Sequence, residues 1–260
     1  MGGSVRTEKQ GPVGYLIFDH PERRNAISGE MWRMIPEAVE RLESDAEVRV
    51  IVMRGAGETA FVSGADISEF ERSRMGDRSR DYDSDGSRAQ GALARIEKPL
   101  LAAIHGFCVG GGLAISLAAD IRYAADDAVF AIPAAKLGLG YGMAGIETLG
   151  RLIGLSAAKE IFFTASRFTA ADALRMGLVN RVLPKAELDA FVLETAQRIA
   201  ANAPLTVRAV KLSAREIAKP VGSRDLEKVD RAIADCFASQ DYREGVRAFM
   251  EKRTPEFKGK

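Results

Sequence analysis

The distribution of apolar residues divides the chain into two parts. Up to about residue 183, short apolar runs alternate with longer stretches in which apolar residues recur at helical spacing. From residue 187 to about residue 252 only the helical spacing remains. Strands that alternate with helices and are followed by helices alone predict an α/β fold with an added helical segment. The runs with the length and composition of strands are residues 15–18, 48–53, 100–104, 121–124, 128–132 and 178–182.

Three polar residues stand where helices are expected to begin. Ser28 precedes apolar residues that share one helical face, which makes it a candidate N-cap. Ser156 is expected to cap a helix that runs through residues 161–163, and Thr169 to cap a helix that stops at Gly177. The apolar residues of the helix after Ser28 are Met31, Ile35, Val39 and Leu42.

Two glycine-containing segments carry most of the chemical information. The first glycine turn, FVSGADI, covers residues 61–67, and the second glycine turn, HGFCVGGGLA, covers residues 105–114. Each follows an apolar run and is expected to pass through a tight turn into a helix N-terminus, where backbone N–H groups lack intrahelical acceptors. Because glycine has no Cβ, the backbone itself can approach a ligand there. Two such N–H groups that converge on one oxygen atom would form an oxyanion hole.

The charge balance argues against polyanionic partners. Of the 260 residues, 37 are Lys or Arg and 36 are Asp or Glu, so no bulk field attracts nucleic acid or an acidic membrane surface. The first residues lack the apolar run of a signal peptide, and no uncharged apolar stretch reaches the length of a membrane span. We therefore expect a cytoplasmic protein without nucleic-acid or membrane partners.

The cysteines and the sequence motifs argue against several classes of site. Cys108 and Cys236 lie far apart and belong to no metal-binding motif, so neither a disulfide scaffold nor a metal site is expected. Residues 140–145 match G-x-G-x-x-G but follow no predicted strand, which favours a tight turn entering a helix over a dinucleotide site. His105 ends an apolar run and is expected to be structural, whereas His20 is expected in a loop.

A strongly polar segment, residues 71–90, follows the first glycine turn. Its balanced charges are typical of a solvated helix or a mobile loop. Because it comes directly after the glycine turn, a flexible lid over a bound ligand is the alternative interpretation.

Taken together in this order, these segments resemble the crotonase family, the enoyl-CoA hydratase/isomerase superfamily. The resemblance covers residues 21–259, which is nearly the whole chain. Each motif alone is weak, but their order along the chain is specific to this family. The segments that carry it are PERRNAI at 21–27, the two glycine turns, ADAL at 171–174, GLVN at 177–180 and PEFKG at 255–259.

The resemblance implies both an architecture and a substrate. Residues 1–200 would form a spiral of ββα units, and residues 201–260 would form a C-terminal helical region that makes homotrimers or pairs of trimers. The substrate would be an acyl thioester of coenzyme A, so no separate cofactor is expected. The N–H groups of Ser63 and Gly111 would be the oxyanion donors. The residues expected along the CoA moiety are Arg24, Ala65, Asp66, Ile67, Phe257 and Lys258.

The chain departs from the family at two catalytic positions. Hydratases of this family carry one glutamate two residues beyond the triple glycine and another after the proline of a later F-x-x-P segment. Here these positions are Ala114 and Ala134, and alanine can neither orient water nor deliver a proton. Standard two-glutamate hydration is therefore not expected.

Two side chains remain as catalytic candidates, Tyr141 and Glu147. The sequence around Tyr141 resembles the methylmalonyl-CoA decarboxylase branch of the family, which uses a tyrosine at this place but carries histidine where this chain has Ala65. Tyr141 could orient a substrate group or donate a proton; alternatively it is an aromatic plug over the turn. Glu147 is the second candidate, with a solvent-facing position as the alternative.

The leading hypothesis is thus an acyl-CoA enzyme of this family that stabilises a thioester enolate through backbone N–H groups. A malonyl-type acyl-CoA decarboxylase is the alternative, because loss of CO2 yields the enolate without a base. A third hypothesis, from a different functional class, is a non-catalytic protein. It would either bind acyl-CoA without turnover or act as a scaffold assembled through the helical tail. RNA binding, found in some relatives, is not favoured by the nearly equal numbers of positive and negative charges.

Overall fold

The described residues of the computed structural model are 2–66 and 78–260, and they form a mixed α/β fold, as predicted. In chain order, the strands are β1 (Ser4–Gln10), β2 (Val13–Asp19), β3 (Val50–Gly55), β4 (Ala60–Val62), β5 (Leu100–Ile104), β6 (Phe107–Val109), β7 (Ile121–Ala125), β8 (Val129–Ala131), β9 (Phe168–Thr169) and β10 (Arg181–Leu183). The α-helices are α1 (Gly29–Ser44), α2 (Arg78–Arg95), α3 (Gly111–Ser116), α4 (Met143–Ile153), α5 (Leu155–Thr164), α6 (Ala170–Arg175), α7 (Leu188–Ala200), α8 (Pro204–Ile217), α9 (Leu226–Ala238) and α10 (Gln240–Glu251).

The strands form two sheets. The larger sheet has the order β1-β2-β3-β5-β7-β10; its first pair is antiparallel and all other pairs are parallel. The smaller sheet has the order β4-β6-β8-β9, in which only β9 is antiparallel to its neighbour. From β3 to β8, successive strands therefore alternate between the sheets, and the β4–β6 pair brings the two glycine turns side by side.

The larger sheet is covered on both faces, which explains its continuous apolar runs. Along β3, Ile51 and Met53 belong to the main core cluster, while Val50 and Val52 belong to a second cluster on the opposite face. The second cluster is completed by apolar residues of α7. Because alternate residues of a strand point to opposite faces, a run buried on both faces shows no polar alternation.

Two of the three predicted helix caps are confirmed and one is wrong. The Ser28 hydroxyl accepts a hydrogen bond from the Met31 N–H at 3.2 Å, and Thr169 forms a reciprocal capping box with Asp172. Ser156 lies inside α5, because that helix already begins at Leu155 after a glycine cap.

The predicted strand at residues 178–182 is shorter and later than expected. Leu178 and Val179 instead donate backbone hydrogen bonds to the Ala173 carbonyl, at 2.8 and 3.4 Å, and so close the turn after α6. This turn passes through Gly177, whose φ of 79° lies in the left-handed region that glycine adopts readily. Only the later residues, in β10, pair with β7.

Several structural interpretations are confirmed. Residues 140–145 lead into α4 through a turn that follows a short 3-10 helix, Pro133–Leu137, and not a strand. His105 is buried, and its Nε2 lies 3.0 Å from the Asp189 carboxylate. Four helices, α7 to α10, make up most of residues 188–251, as the helical spacing predicts.

The polar segment at residues 71–90 is helical where the structure describes it. Residues 78–90 lie in α2, and an ion pair of 3.2 Å joins Arg33 of α1 to Asp85 of α2. Residues 71–77, on which the lid interpretation also depends, lie outside the described residues. No helix in the part of the chain that the structure describes is long and apolar enough to cross a membrane.

Candidate functional site

The two glycine turns meet through contacts that leave no room for a side chain. Val62 of β4 pairs with Cys108 of β6. A Cβ placed on Gly112 would lie 2.1 Å from the Val62 carbonyl oxygen, and one on Gly64 would lie 3.4 Å from the Val109 carbonyl oxygen. Glycine is therefore required for this close approach of the two backbones.

The second glycine turn is not the single tight turn that we predicted from the sequence. Gly106 and Gly110 each have a φ of 52°, and β6 runs between them. The Gly110 N–H donates to the Ala131 carbonyl oxygen of β8 at 2.8 Å. The smaller sheet therefore fixes the start of α3 on which Gly111 lies.

The predicted oxyanion donor Ser63 is corrected by the structure. Its N–H donates to the Arg24 carbonyl oxygen at 3.1 Å, and its hydroxyl donates to the Arg23 carbonyl oxygen at 3.1 Å. A donor already paired with a backbone carbonyl is not open to a substrate oxygen. Ser63 instead ties the first glycine turn to the loop before α1.

In the first glycine turn the open backbone N–H is that of Ala65 and not that of Ser63. On either side of it, the Gly64 carbonyl accepts from the Ile27 N–H at 2.8 Å and the Asp66 N–H donates to the Ile27 carbonyl at 2.9 Å. The Ala65 N–H lies between these bonds and has no acceptor among the described residues, and the same is true of the Gly111 N–H. A Cβ on Gly111 would lie 3.7 Å from the Ala65 nitrogen. Two open donors thus stand beside each other.

A tryptophan that sequence reasoning missed supports this pair of donors. Trp32 is buried in α1, and its benzo ring atoms lie 3.4 and 3.8 Å from the position that a Cβ on Gly111 would take. It is the only tryptophan of the chain. The available sequence signal was its position on the apolar face of α1, which indicates burial but not the contact. Its fluorescence is a natural reporter of binding at the donors.

Both alanines lie close in the chain to residues of the second glycine turn or its neighbours. Ala114 is three residues after Gly111 on α3, so the two residues share one helix face. Ala134 follows Pro133, whose Cδ lies 3.9 Å from the position of a Cβ on Gly110. No group of three His, Cys, Asp or Glu side chains in residues 2–66 and 78–260 could hold a metal ion.

Tyr141 lies just before the N-cap residue of α4. Its ring packs edge-to-face on Phe162 with the centroids 4.7 Å apart, and it lies over Gly145. Burial raises the pKa of the Tyr141 hydroxyl above its ordinary value. These contacts support the aromatic-plug interpretation, and a chemical role for Tyr141 stays a prediction.

Glu147 faces solvent, as the alternative interpretation expected. Its side chain is half exposed, and its carboxylate pairs with Arg151 one helical turn later at 2.6 Å. The carboxylate is thus held by a guanidinium at a solvent-exposed position of α4. The geometry therefore gives no support to a catalytic Glu147.

The residues predicted along the CoA moiety are divided between two places. Arg24 and Asp66 lie with Ala65 on the backbone ladder described above, whereas Ile67 lies outside the described residues. Phe257 and Lys258 contact the C-terminal helices instead of the glycine turns: the Lys258 N–H donates to the Asp241 carboxylate at 2.7 Å. Within one chain the structure thus brings together Arg24, Ala65 and Asp66 but not Phe257 and Lys258.

Cys108 lies next to the donors but cannot serve as a nucleophile. Its side chain is completely buried in β6, and this burial raises the pKa of the thiol to about 12. The thiolate, which is the reactive form, is therefore absent at neutral pH. Cys108 therefore adds no nucleophile to the site.

Comparisons with known proteins agree with this arrangement. The sequence profile of the enoyl-CoA hydratase/isomerase family matches residues 8–260. A short-chain-enoyl-CoA hydratase of Clostridium acetobutylicum is 36% identical over 257 residues, with 97% of each chain covered. A crotonyl-CoA hydratase of Syntrophomonas wolfei is 34% identical, covering 98% of this chain and 97% of the relative.

Solved structures show the same fold. The crystal structure of an enoyl-CoA hydratase/carnithine racemase from Magnetospirillum magneticum matches with a TM-score of 0.92 at 34% identity, covering 98% of this chain and 96% of the other. An enoyl-CoA hydratase from Bacillus anthracis matches with a TM-score of 0.91 at 30% identity, covering 98% and 99%. These matches confirm the crotonase-like fold expected from the sequence. The chain belongs to the enoyl-CoA hydratase/isomerase family of enzymes.

Proposed function

We propose that this protein is an acyl-CoA enzyme that stabilises a thioester enolate with the backbone N–H groups of Ala65 and Gly111. The observation that carries the proposal is the adjacency of two donors that have no acceptor among the described residues. Negative charge that develops on a thioester carbonyl oxygen would be met by both donors at once. One such donor contributes about 3 kcal/mol when its bond forms in the transition state.

The first test follows the enolate itself. Acetoacetyl-CoA forms an enolate with its own ultraviolet band, so we expect this band to grow when the protein is added. Ala65→Pro removes the N–H and should abolish the increase, whereas Ala65→Val retains the N–H and should preserve it. If Trp32 fluorescence reports binding but the enolate band does not change, the proposed donors are wrong.

The alanines at positions 114 and 134 affect which reaction of a bound acyl-CoA the site can support. With no carboxylate at either position, proton transfer to and from carbon lacks the two positioned carboxylates of standard hydration. Loss of CO2 from a malonyl-type thioester reaches the enolate directly. This supports decarboxylation as the second candidate function within the same site.

Assays with two substrates separate these candidates. We expect CO2 release from methylmalonyl-CoA, and hydration of crotonyl-CoA that is slower by about 10² to 10⁴ than in an enzyme with a general acid and base. Rapid hydration would contradict the role assigned to the two alanines. Tight CoA binding without either product would favour a non-catalytic acyl-CoA-binding protein.

We also propose that the helical tail assembles copies of this chain into a homotrimer or a pair of trimers. Helices α8, α9 and α10 line a groove of about 870 Å³ whose walls are almost entirely apolar. On its rim Phe249 is 83% exposed and Met250 is 77% exposed in a single chain. A contiguous apolar surface of this kind is typical of a permanent subunit interface.

The assembly is tested by disrupting that face. Phe249→Asp should convert the assembly into monomers in light scattering after size-exclusion chromatography, because it buries a charge in an apolar interface. Arg243→Asp on the same helix alters an exposed residue outside the groove lining and should leave the mass unchanged. A monomeric native protein, or an assembly that survives the Phe249 substitution, contradicts the proposal.

A further inference from the structure

A buried arginine of β7 holds the far end of the helix that begins with Gly111. Arg122 is only 5% exposed. Its Nη1 donates to the carbonyl oxygen of Ser116, the last residue of α3, at 3.3 Å and to that of Ala119 at 2.5 Å. Its Nε donates to the Leu178 carbonyl oxygen, in the turn after α6, at 2.8 Å. Arg122 thus joins the end of α3 to a turn from a distant part of the chain.

The positive charge of Arg122 has no carboxylate partner within residues 2–66 and 78–260, and backbone carbonyls alone accept from its side chain. The carboxylate of Asp120, two residues earlier, is bound instead by the Leu100 N–H at 2.8 Å and the Lys211 ammonium at 2.7 Å. Burying a cation without a counter-ion is costly compared with burying an apolar side chain of similar volume. Stability alone is therefore a poor reason for an arginine at this position.

Helix α3 depends on external contacts for its orientation. It contains only the six residues Gly111–Ser116, and so short a helix has little stability of its own. The Gly110 N–H fixes its start on β8, and the close approach of Gly112 to β4 fixes its first turn. Arg122 fixes its end, which lies about 8 Å from Gly111 at 1.5 Å per residue. This last contact limits the tilt of the helix.

We propose that Arg122 is a positioning residue that orients the Gly111 N–H by holding the end of α3. The inference rests on the proposed enolate-stabilising function and adds a residue outside the pair of donors. Because the Gly111 N–H belongs to the first turn of α3, a tilt of this helix turns it away from the Ala65 N–H. The two donors then no longer meet one oxygen atom, whereas contacts with the rest of a CoA ligand do not depend on this tilt.

The experiment compares Arg122→Met with the native full-length protein in titrations with acetoacetyl-CoA at a fixed pH. Methionine retains much of the apolar volume but cannot donate to the three carbonyls. Trp32 fluorescence measures binding, and the ultraviolet band measures bound enolate. We expect the ratio of bound enolate to bound keto form to fall about tenfold, a part of the 10² to 10³ that one oxyanion donor contributes. The affinity for CoA itself, which has no thioester carbonyl, should not change.

The matched control is Arg224→Met. Arg224 also binds the end of a helix, because its guanidinium donates to the carbonyl oxygens of Ile217, the last residue of α8, at 3.0 Å and of Lys219 at 3.2 Å. Its substitution removes a contact that holds α8 instead of α3, so the ratio of enolate to keto form should keep its native value. In the unliganded proteins, the emission of Trp32, whose ring lies against Gly111, should change in Arg122→Met but not in Arg224→Met.

A second variant, Arg122→Lys, decides the outcome if thermal melting shows that Arg122→Met is unfolded. Lysine keeps the cation, but its single nitrogen cannot reproduce the fork that reaches both α3 and the Leu178 carbonyl. We therefore expect the enolate ratio of Arg122→Lys to fall about threefold, less than the tenfold expected for the loss of all three bonds.

The outcomes separate the positioning role from the proposed function. A native enolate ratio in folded Arg122→Met, or in Arg122→Lys when Arg122→Met is unfolded, overturns the positioning role and leaves the proposed function intact. An equal fall in Arg224→Met also overturns it, because the effect would then follow from any lost helix contact. If the native protein forms no enolate from acetoacetyl-CoA, the proposed function fails and the positioning role with it.

Discussion

Gly112→Ala is expected to lower the free energy of unfolding by about 3 kcal/mol, at the upper end of the cost of overpacking a core, and to abolish turnover. The added Cβ would lie 2.1 Å from the Val62 carbonyl oxygen and 2.8 Å from the Val62 Cβ. Val62 cannot retreat freely, because β4 pairs with β6 at this point. The second glycine turn must move away from the first, which separates the Ala65 and Gly111 donors.

Gly86→Ala is the matched control for this substitution. Gly86 lies in α2, and a Cβ there would meet no atom within 4 Å. Because glycine is a poor helix former, this change should stabilise the protein by about 1 kcal/mol. Urea denaturation measures both effects. A Gly112→Ala protein of native stability and activity would show that the two turns do not need this contact.

The sequence was sufficient to predict the two glycine turns but not the donor within the first one. Glycine and the neighbouring apolar runs are local signals, and they located both glycine-containing segments, although the second one contains two bends with β6 between them and not a single tight turn. Whether Ser63 or Ala65 presents an open N–H depends on the loop around Arg24, which lies about forty residues earlier in the chain. That loop pairs with the turn and occupies the Ser63 N–H. No local pattern reports such a pairing.

The difference between local signals and long-range packing also explains which residues were misplaced or missed. The Ser28 cap is local and was predicted correctly, whereas Ser156 was displaced by a helix that starts after Gly154 with no side-chain cap. The contact between Arg122 and Leu178 joins residues 56 positions apart. Phe257 is held in the C-terminal region, where Arg49 donates to its carbonyl oxygen at 2.7 Å. Long-range packing decided each of these positions.

Installing both missing carboxylates should convert the protein into an efficient hydratase. We expect the double variant Ala114→Glu, Ala134→Glu to hydrate crotonyl-CoA about 10² to 10⁴ times faster than the native protein, the usual contribution of general acid–base catalysis. Ala114 shares a helix face with Gly111, and Ala134 follows Pro133, whose ring lies near Gly110. Two carboxylates there would flank the proposed carbonyl position, where one can orient water and the other can deliver a proton.

The corresponding double glutamine variant isolates the chemistry from the change in shape. Glutamine has nearly the same size as glutamate but transfers no proton, so this variant should bind crotonyl-CoA equally well and hydrate it no faster than the native protein. Ala134 is only 6% exposed, so thermal melting must show that both variants remain folded. A folded glutamate variant that binds crotonyl-CoA without faster hydration would mean that positions 114 and 134 do not face the reacting carbons. The slow hydration expected of the native protein would then need a cause other than its two alanines.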